Sequence, residues 1–250
     1  MFVQLYDVKK IISINQPLFL RIIFAILLPV LFSCSKANMN SITTNDTPKP
    51  DTAKTFLALG DSYTIGQSVS VADRFPSQTV LILRGKNITI KDPQIIATTG
   101  WTTKNLIDAI NSTNLPTNFD VVTLLIGVNN QYQGRSIDEY KTEFTWLVNR
   151  AIQYANNSPT HVFVLSIPDY SQTPFAQTSD TAKIAREVAQ FNVENKKIAL
   201  QLGVNYLNIT LISREPDPEL LAGDGLHPSG KQYKRWADLL APMIKNVIGQ

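Results

Sequence analysis

The sequence predicts an α/β domain: a three-layer, doubly wound parallel sheet of about five strands. Three observations carry this. Five short runs are apolar on both faces, as strands buried inside a parallel sheet are. Amphipathic stretches with a 3.6-residue period separate several of them. Glycine-bearing segments follow the first three runs, at Gly60, Gly100 and Gly127, as turns at strand ends do.

The strand candidates are Phe56–Leu59, Ile95–Ala97 (with Ile88–Ile90 as an extension before it), Val121–Ile126, Val162–Ile167 and Val204–Ile209. A first helix starts near Pro76, because proline suits the first helical turn. Ser136-Ile-Asp-Glu139 has the spacing of a capping box and opens a second. Its apolar residues Tyr140, Phe144, Leu147, Val148 and Ala151 fall on one face. A third runs from about Asp180 to Leu202 through Ile184, Val188, Phe191 and Ile198, and Gly203 ends it as the left-handed residue past the cap. The last carries Tyr233, Trp236, Ala237, Leu240, Ile244 and Val247. Strands alternating with helices imply the doubly wound arrangement, and five strands fit the flavodoxin-like order 2-1-3-4-5.

The chain of 250 residues is long enough for one sizeable domain with an appendage. Its 44% hydrophobic and 17% charged residues exclude a disordered chain. The net charge of +3 is concentrated at the start, where Lys9, Lys10 and Arg21 outnumber Asp7. Beyond residue 33 the balance is nearly even and no basic stripe remains, which argues against a nucleic-acid partner.

Ile22–Phe32 is an apolar run behind Arg21, too short for a bilayer span of about 20 residues. It suits the core of a signal peptide, with residues 1–20 as an unusually long leader. The run ends Leu31-Phe32-Ser33-Cys34-Ser35, and Cys34 is the chain's one cysteine. This looks like a bacterial lipoprotein signal, with Phe32 bulkier than is usual there. Residues 1–33 are therefore expected to be a lipoprotein signal peptide and Cys34 the acylated anchor. Residues 34–54, rich in Ser, Thr, Asn and Pro, are expected to be a tether with a reach of about 25 Å. The expected location is the outer membrane or another periplasmic face, with the membrane as a partner through Cys34. Residues 55–250 are the folded body.

Gly60-Asp61-Ser62 directly follows the first strand candidate, and Asp224-Gly-Leu-His227-Pro228 precedes the last helix. A serine hydroxyl is a weak nucleophile until an imidazole takes its proton, and the imidazole needs a carboxylate to fix its tautomer. The chain has two histidines. His161 begins a predicted strand and reads as structural, which leaves His227 as the candidate base. Asp224, three residues before it, can turn its carboxylate onto the same ring; Asp120, Asp169 and Asp180 have no such local link. Gly100 follows the second strand candidate and Asn129 the third, where a backbone N–H and a side-chain amide can serve as oxyanion donors. Each of these residues alone is equally well a turn residue. Their shared place at the carboxyl ends of parallel strands, where ligands bind in such sheets, favours function. Position 64 is threonine, so the Gly-x-Ser-x-Gly elbow is absent.

Gly60-Asp61-Ser62-Tyr63, Gly100, Gly127-Val-Asn129-Asn130 and Asp224-Gly-Leu-His227 together resemble the four signature blocks of the SGNH, or GDSL-type, hydrolases, in family order, over about Thr55 to Ile248. The Gly-Leu-His-Pro-Ser ending looks most like the lysophospholipase/arylesterase-like branch. The resemblance implies Ser62 as nucleophile, His227 as base and Asp224 as its orienter. It implies an oxyanion hole from the Ser62 and Gly100 N–H groups and the Asn129 side chain, and no cofactor. Tyr63 replaces the family's leucine, and Asn130 stands where aspartate is usual, which touches only a supporting contact.

No metal set is visible, with two distant histidines and one cysteine in the signal, and no phosphate loop. The expected function is a serine esterase acting through an acyl-enzyme on small-molecule, lipid or glycan esters. A carbohydrate O-deacetylase and a catalytically silent binding lipoprotein are the alternatives. Tyr63, Trp101, Tyr132, Tyr170 and Phe175 are candidates to line a pocket or merely to pack. Substrate choice would lie in loops 63–75, 130–135 and 168–178.

Overall fold

The computed structural model describes residues 52–215 and 217–249. The signal peptide, Cys34 and nearly all of the tether lie outside the described residues.

In chain order the elements are β1 (Phe56–Gly60), α1 (Ser62–Ile65), α2 (Phe75–Arg84), β2 (Gln94–Ala97), α3 (Thr103–Ser112), β3 (Val121–Leu125), α4 (Val128–Tyr132), α5 (Ile137–Tyr154), β4 (Val162–Leu165), α6 (Thr181–Gln201), β5 (Asn205–Leu207), α7 (Thr210–Ser213) and α8 (Gly230–Ile248). The five strands form one parallel sheet in the order 2-1-3-4-5, as the sequence predicts. Crossovers between parallel strands are right-handed, so reversing the direction of strand addition moves the connecting helix to the other face. The chain steps one way from β1 to β2 through α2, then back across the sheet through α3, α5 and α6. Accordingly α2 pairs with α8, while α5 lies between α3 and α6. These are the three layers.

Burial explains why the strands read as continuous apolar runs. Every residue of β1, β3 and β4 is buried. The α2/α8 layer seals its side with Trp236, Tyr233 and Phe75, whose rings meet one another at 5.1–6.4 Å between centroids. On the other layer Tyr140 stacks on Phe144 and meets Phe191 of α6.

Several local expectations need correction. The strand at residues 204–209 shrinks to three residues because the chain turns at Asn208, which is exposed and whose Oδ1 accepts the amide N–H of Thr210 at the start of α7. Ile88–Ile90 adds no strand; Ile90 makes only an isolated parallel bridge with Lys54. The capping box at Ser136 is half-formed: its Oγ accepts the Glu139 N–H, while the Glu139 carboxylate faces Arg135. Helix α3 gave no clear pattern in the sequence, yet it carries a complete capping box between Thr102 and Asn105. Gly203 does adopt the left-handed conformation past α6, at φ 71°.

Gly60 marks where the sheet admits no side chain. A Cβ there would collide with the Leu125 carbonyl of the neighbouring strand and with Thr64. Gly60→Ala is therefore expected to lower stability by about 1–3 kcal/mol, as overpacking does, and to shift the turn that carries residue 62. Thermal unfolding would measure it; an unchanged melting temperature would contradict the packing described.

Candidate active site

The reversal of strand order between β1 and its neighbours opens a crevice at the carboxyl ends of β1 and β3. Ser62 sits there as the first residue of α1. The chain turns sharply after Gly60, and the Asp61 carboxylate caps the helix by accepting the Tyr63 N–H at 3.0 Å. Ser62 is only 4% exposed. Gly66, left-handed at φ 71°, closes the turn by returning its N–H to the Ser62 carbonyl. The Ser62 N–H belongs to the first helical turn, where backbone donors have no partner within the helix.

The segment after β2 brings Gly100, at φ 84°, into the crevice. A Cβ there would meet nothing within 4 Å, so glycine is required by the backbone and not by crowding. The segment after β3 brings Asn129, placed by Gly127 at φ 129°. A side chain at Gly127 would strike Tyr140 and Ile167. Asn129 Nδ2 donates to the Trp101 carbonyl at 2.9 Å, which fixes the amide and leaves its second N–H available. Asn130, fully buried, accepts the Thr103 N–H at 3.0 Å and donates to Thr103 Oγ1 at 2.6 Å. That is the supporting contact left in question by the substitution of asparagine for aspartate.

The fourth segment precedes α8. His227 is 8% exposed, and its Nδ1 lies 2.7 Å from Asp224 Oδ2. An ionised carboxylate only accepts, so Nδ1 carries the hydrogen and Nε2 is free to accept a proton. Asp224 Oδ1 accepts the N–H groups of Leu226 and His227. Its Oδ2 also accepts the Ser68 hydroxyl, a contact with no trace in the sequence. Partial burial opposes ionisation of Asp224, but the Ser68, His227 and Leu226 hydrogen bonds outweigh it and hold the carboxyl well below its usual range.

Ser62, Gly100, Asn129 and His227 all line one pocket of about 150 Å³, with Tyr132, Tyr170 and Phe175 on its wall. Asp224 stands behind His227. A larger cleft of about 340 Å³ adjoins it across Tyr63, Tyr170 and Leu226 but contains none of those four residues. The other acidic candidates are engaged elsewhere. Asp169 is buried against Arg214 Nε at 2.6 Å, Asp120 holds Lys54 and Thr55, and Asp180 caps α6. His161 Nδ1 faces the Asp120 carbonyl at 2.7 Å, at the start of β4 and away from this rim. Trp101 contributes its carbonyl to Asn129, while Tyr63 packs on His227 at 5.5 Å and on Trp236 at 6.3 Å. Among the described residues no group of three His, Cys, Asp or Glu side chains is disposed to hold a metal ion.

Residues 58–235 match the GDSL-like Lipase/Acylhydrolase family. No curated protein sequence matches the chain. Among solved structures, the psychrotrophic esterase EstA from Pseudoalteromonas sp. is 18% identical with a TM-score of 0.57, over 79% of this chain and 100% of that one. A lipase from a goat rumen metagenome is 16% identical with a TM-score of 0.62, over 76% and 97%. A putative lipolytic G-D-S-L protein from Desulfitobacterium hafniense is 13% identical with a TM-score of 0.59, over 76% and 99%.

Asp61 gives the site a pH signature of its own. Burial pushes its carboxyl up to about 7 against the pull of the Tyr63 N–H bond, and its Oδ2 has no hydrogen-bond partner. The folded state thus holds this proton more tightly than the unfolded chain, so stability from this group falls as pH rises from about 4 to about 7. Asp61→Asn keeps the capping oxygen and removes the charge. Its melting temperature is expected to exceed the native one by a margin that grows from pH 5 to pH 8. A margin independent of pH would contradict the assignment.

Proposed function

The chain belongs to the GDSL-like Lipase/Acylhydrolase family, and we propose that it is a serine esterase that hydrolyses short-chain carboxylic esters through an acyl-enzyme. The carrying observation is that Ser62, Gly100, Asn129 and His227 converge on one pocket while Asp224 binds the far nitrogen of His227. In this reading the Ser62 hydroxyl attacks the ester carbonyl as His227 Nε2 takes its proton. The negative oxygen of the tetrahedral intermediate receives hydrogen bonds from the Ser62 and Gly100 N–H groups and the free Asn129 N–H. The intermediate collapses, the alcohol leaves with the proton held by His227, and the acyl group stays on Ser62. A water, deprotonated by His227, then attacks the acyl carbonyl and releases the acid with Ser62 restored. Asp224 stabilises the imidazolium that forms in each half-reaction.

The size of the pocket limits the acyl group. A space of about 150 Å³ accommodates a molecule the size of benzene, so an acyl chain of about six carbons or fewer fits within it, against the rings of Tyr132, Tyr170 and Phe175. Those rings meet pairwise at 6.1–6.4 Å. Tyr170 is fixed by its hydroxyl, which donates to Gln131 at 2.9 Å. One observation favours a second reading, the glycan O-deacetylase: Tyr132 and Phe175 are 61% and 46% exposed, and exposed rings beside the pocket suit a sugar. A long acyl chain, as a lysophospholipase takes, would have to continue past this pocket into the adjoining cleft of about 340 Å³.

With p-nitrophenyl esters of increasing chain length, kcat/KM is expected to peak at or below about six carbons, and Ser62→Ala is expected to abolish turnover without loss of folding. A rate that climbs through twelve carbons would refute the short-chain reading; activity retained in Ser62→Ala would refute the nucleophile. Acetylated sugars outpacing every simple ester would transfer the assignment to the deacetylase.

From the sequence alone we also infer export and acylation at Cys34. Cys34→Ala is expected to release the protein from the membrane fraction or block its processing. An unmodified Cys34 by mass spectrometry, with unchanged fractionation, would overturn this.

A further inference from the structure

The loop between α1 and α2 contains a serine in a conformation that serine avoids. Ser68 has φ 66°, within the left-handed region. The other non-glycine residues described with positive φ are Asn87, Asn156 and Asn157. Asparagine tolerates this region through local hydrogen bonds of its short amide. Serine has no such standing, and strained residues persist where their surroundings over-determine them, often at functional sites. The flanks of Ser68 are indeed pinned. Gln67 Oε1 accepts the Thr99 hydroxyl at 2.6 Å, Val69 returns its N–H to Gly66, and Ser70 Oγ donates to Asp73 at 2.7 Å.

The conformation aims the hydroxyl across the rim. Ser68 Oγ donates to Asp224 Oδ2 at 2.6 Å, between residues 156 positions apart. Asp224 Oδ1 takes the N–H groups of Leu226 and His227, and Oδ2 takes Ser68 Oγ and His227 Nδ1. Those four donors match the roughly four lone-pair sites of a carboxylate. Three come from residues 226 and 227 themselves. Ser68 supplies the one that comes from another segment, six residues after Ser62. The two backbone bonds hold Oδ1, while Oδ2 is held between His227 Nδ1 and the Ser68 hydroxyl.

We propose that Ser68 is a positioning residue for ester hydrolysis, whose hydroxyl holds the Asp224 carboxylate in line with His227 Nδ1 and ties the base-bearing loop to the nucleophile-bearing one. It rests on the reading of Ser62, His227 and Asp224 given above. Ser68 touches neither substrate nor imidazole; it acts through Asp224. Loss of the hydroxyl lets the carboxylate swing and accept water, so the imidazolium formed on proton transfer is stabilised less. Substrate binding, which Ser68 does not touch, is unaffected.

The test separates hydroxyl from backbone. Ser68→Gly removes the hydroxyl and suits the left-handed backbone; Ser68→Ala removes the hydroxyl and keeps the strain. On the best p-nitrophenyl ester both variants are expected to lose kcat by the same factor, roughly tenfold, the rate equivalent of one modest hydrogen bond, with KM little changed. Ser68→Gly should melt no lower than the native protein. In an Asp224→Asn background the further loss on adding Ser68→Gly should shrink towards none, because the partner it acts through is gone. An equal tenfold loss in both backgrounds, or full kcat in Ser68→Gly, overturns the proposal while native hydrolysis stands. A native protein that hydrolyses no ester overturns the esterase reading, and this inference with it.

Discussion

All five strands run the same way, and the rest of the site follows from that constraint. Parallel strands present their carboxyl ends on one rim, so segments far apart in sequence leave the sheet side by side. Residues 60–68, 98–103, 127–132 and 222–228 meet there although the chain between them passes through two helical layers. The direction of strand addition reverses between β1 and β3, which splits the helices to opposite faces and leaves a crevice where neither layer covers the rim. Gly60 and Gly127 stand at the two lips of that crevice. At both positions a side chain would collide with the fold, so the turns that carry Ser62 and Asn129 are set by packing in the core beneath them.

A shared rim brings residues near one another but does not hold them to fractions of an ångström. Polar cross-links between segments do that. Asn129 donates to Trp101, and Asn130 holds both the N–H and the hydroxyl of Thr103, so Gly100 and Asn129 sit on segments bolted together. The Phe175 N–H donates to the Gly225 carbonyl, joining the aromatic wall to the loop of Asp224 and His227. Ser68 joins that loop to the segment after Ser62. Donors fixed before any substrate arrives need no reorganisation when charge develops, and preorganisation of this kind contributes most where an oxyanion forms.

The sheet was legible because its signal is local and redundant. Phe56–Leu59 and Val121–Leu125 are buried on both faces, and so short a run, rich in aliphatic residues and closed by a glycine, fits a strand of a parallel sheet better than a helix. Ser62, Gly100 and Asn129 were legible because each follows a strand candidate, and Asp224 and His227 because they stand three residues apart just before the last helix. Helix α3 was obscured: it buries only Thr103, Leu106 and Ile110, and its cap uses asparagine where the common box has an acidic or glutamine side chain. The end of β5 was overextended because Ile209 is fully buried, yet its burial comes from the turn into α7 and not from the sheet. Ser68 was invisible for a different reason. Its role depends on a backbone angle and on a partner 156 residues away, and neither has a local pattern.

The central claim is that Ser62 is a nucleophile activated by His227, and covalent labelling reads it without knowledge of the substrate. A fluorophosphonate should modify the folded protein at one site, with the adduct mapped by peptide mass spectrometry to Ser62. Labelling should be lost in His227→Ala, because no base then takes the hydroxyl proton. An adduct on another residue, or labelling at Ser62 that is as fast without His227, would contradict the account.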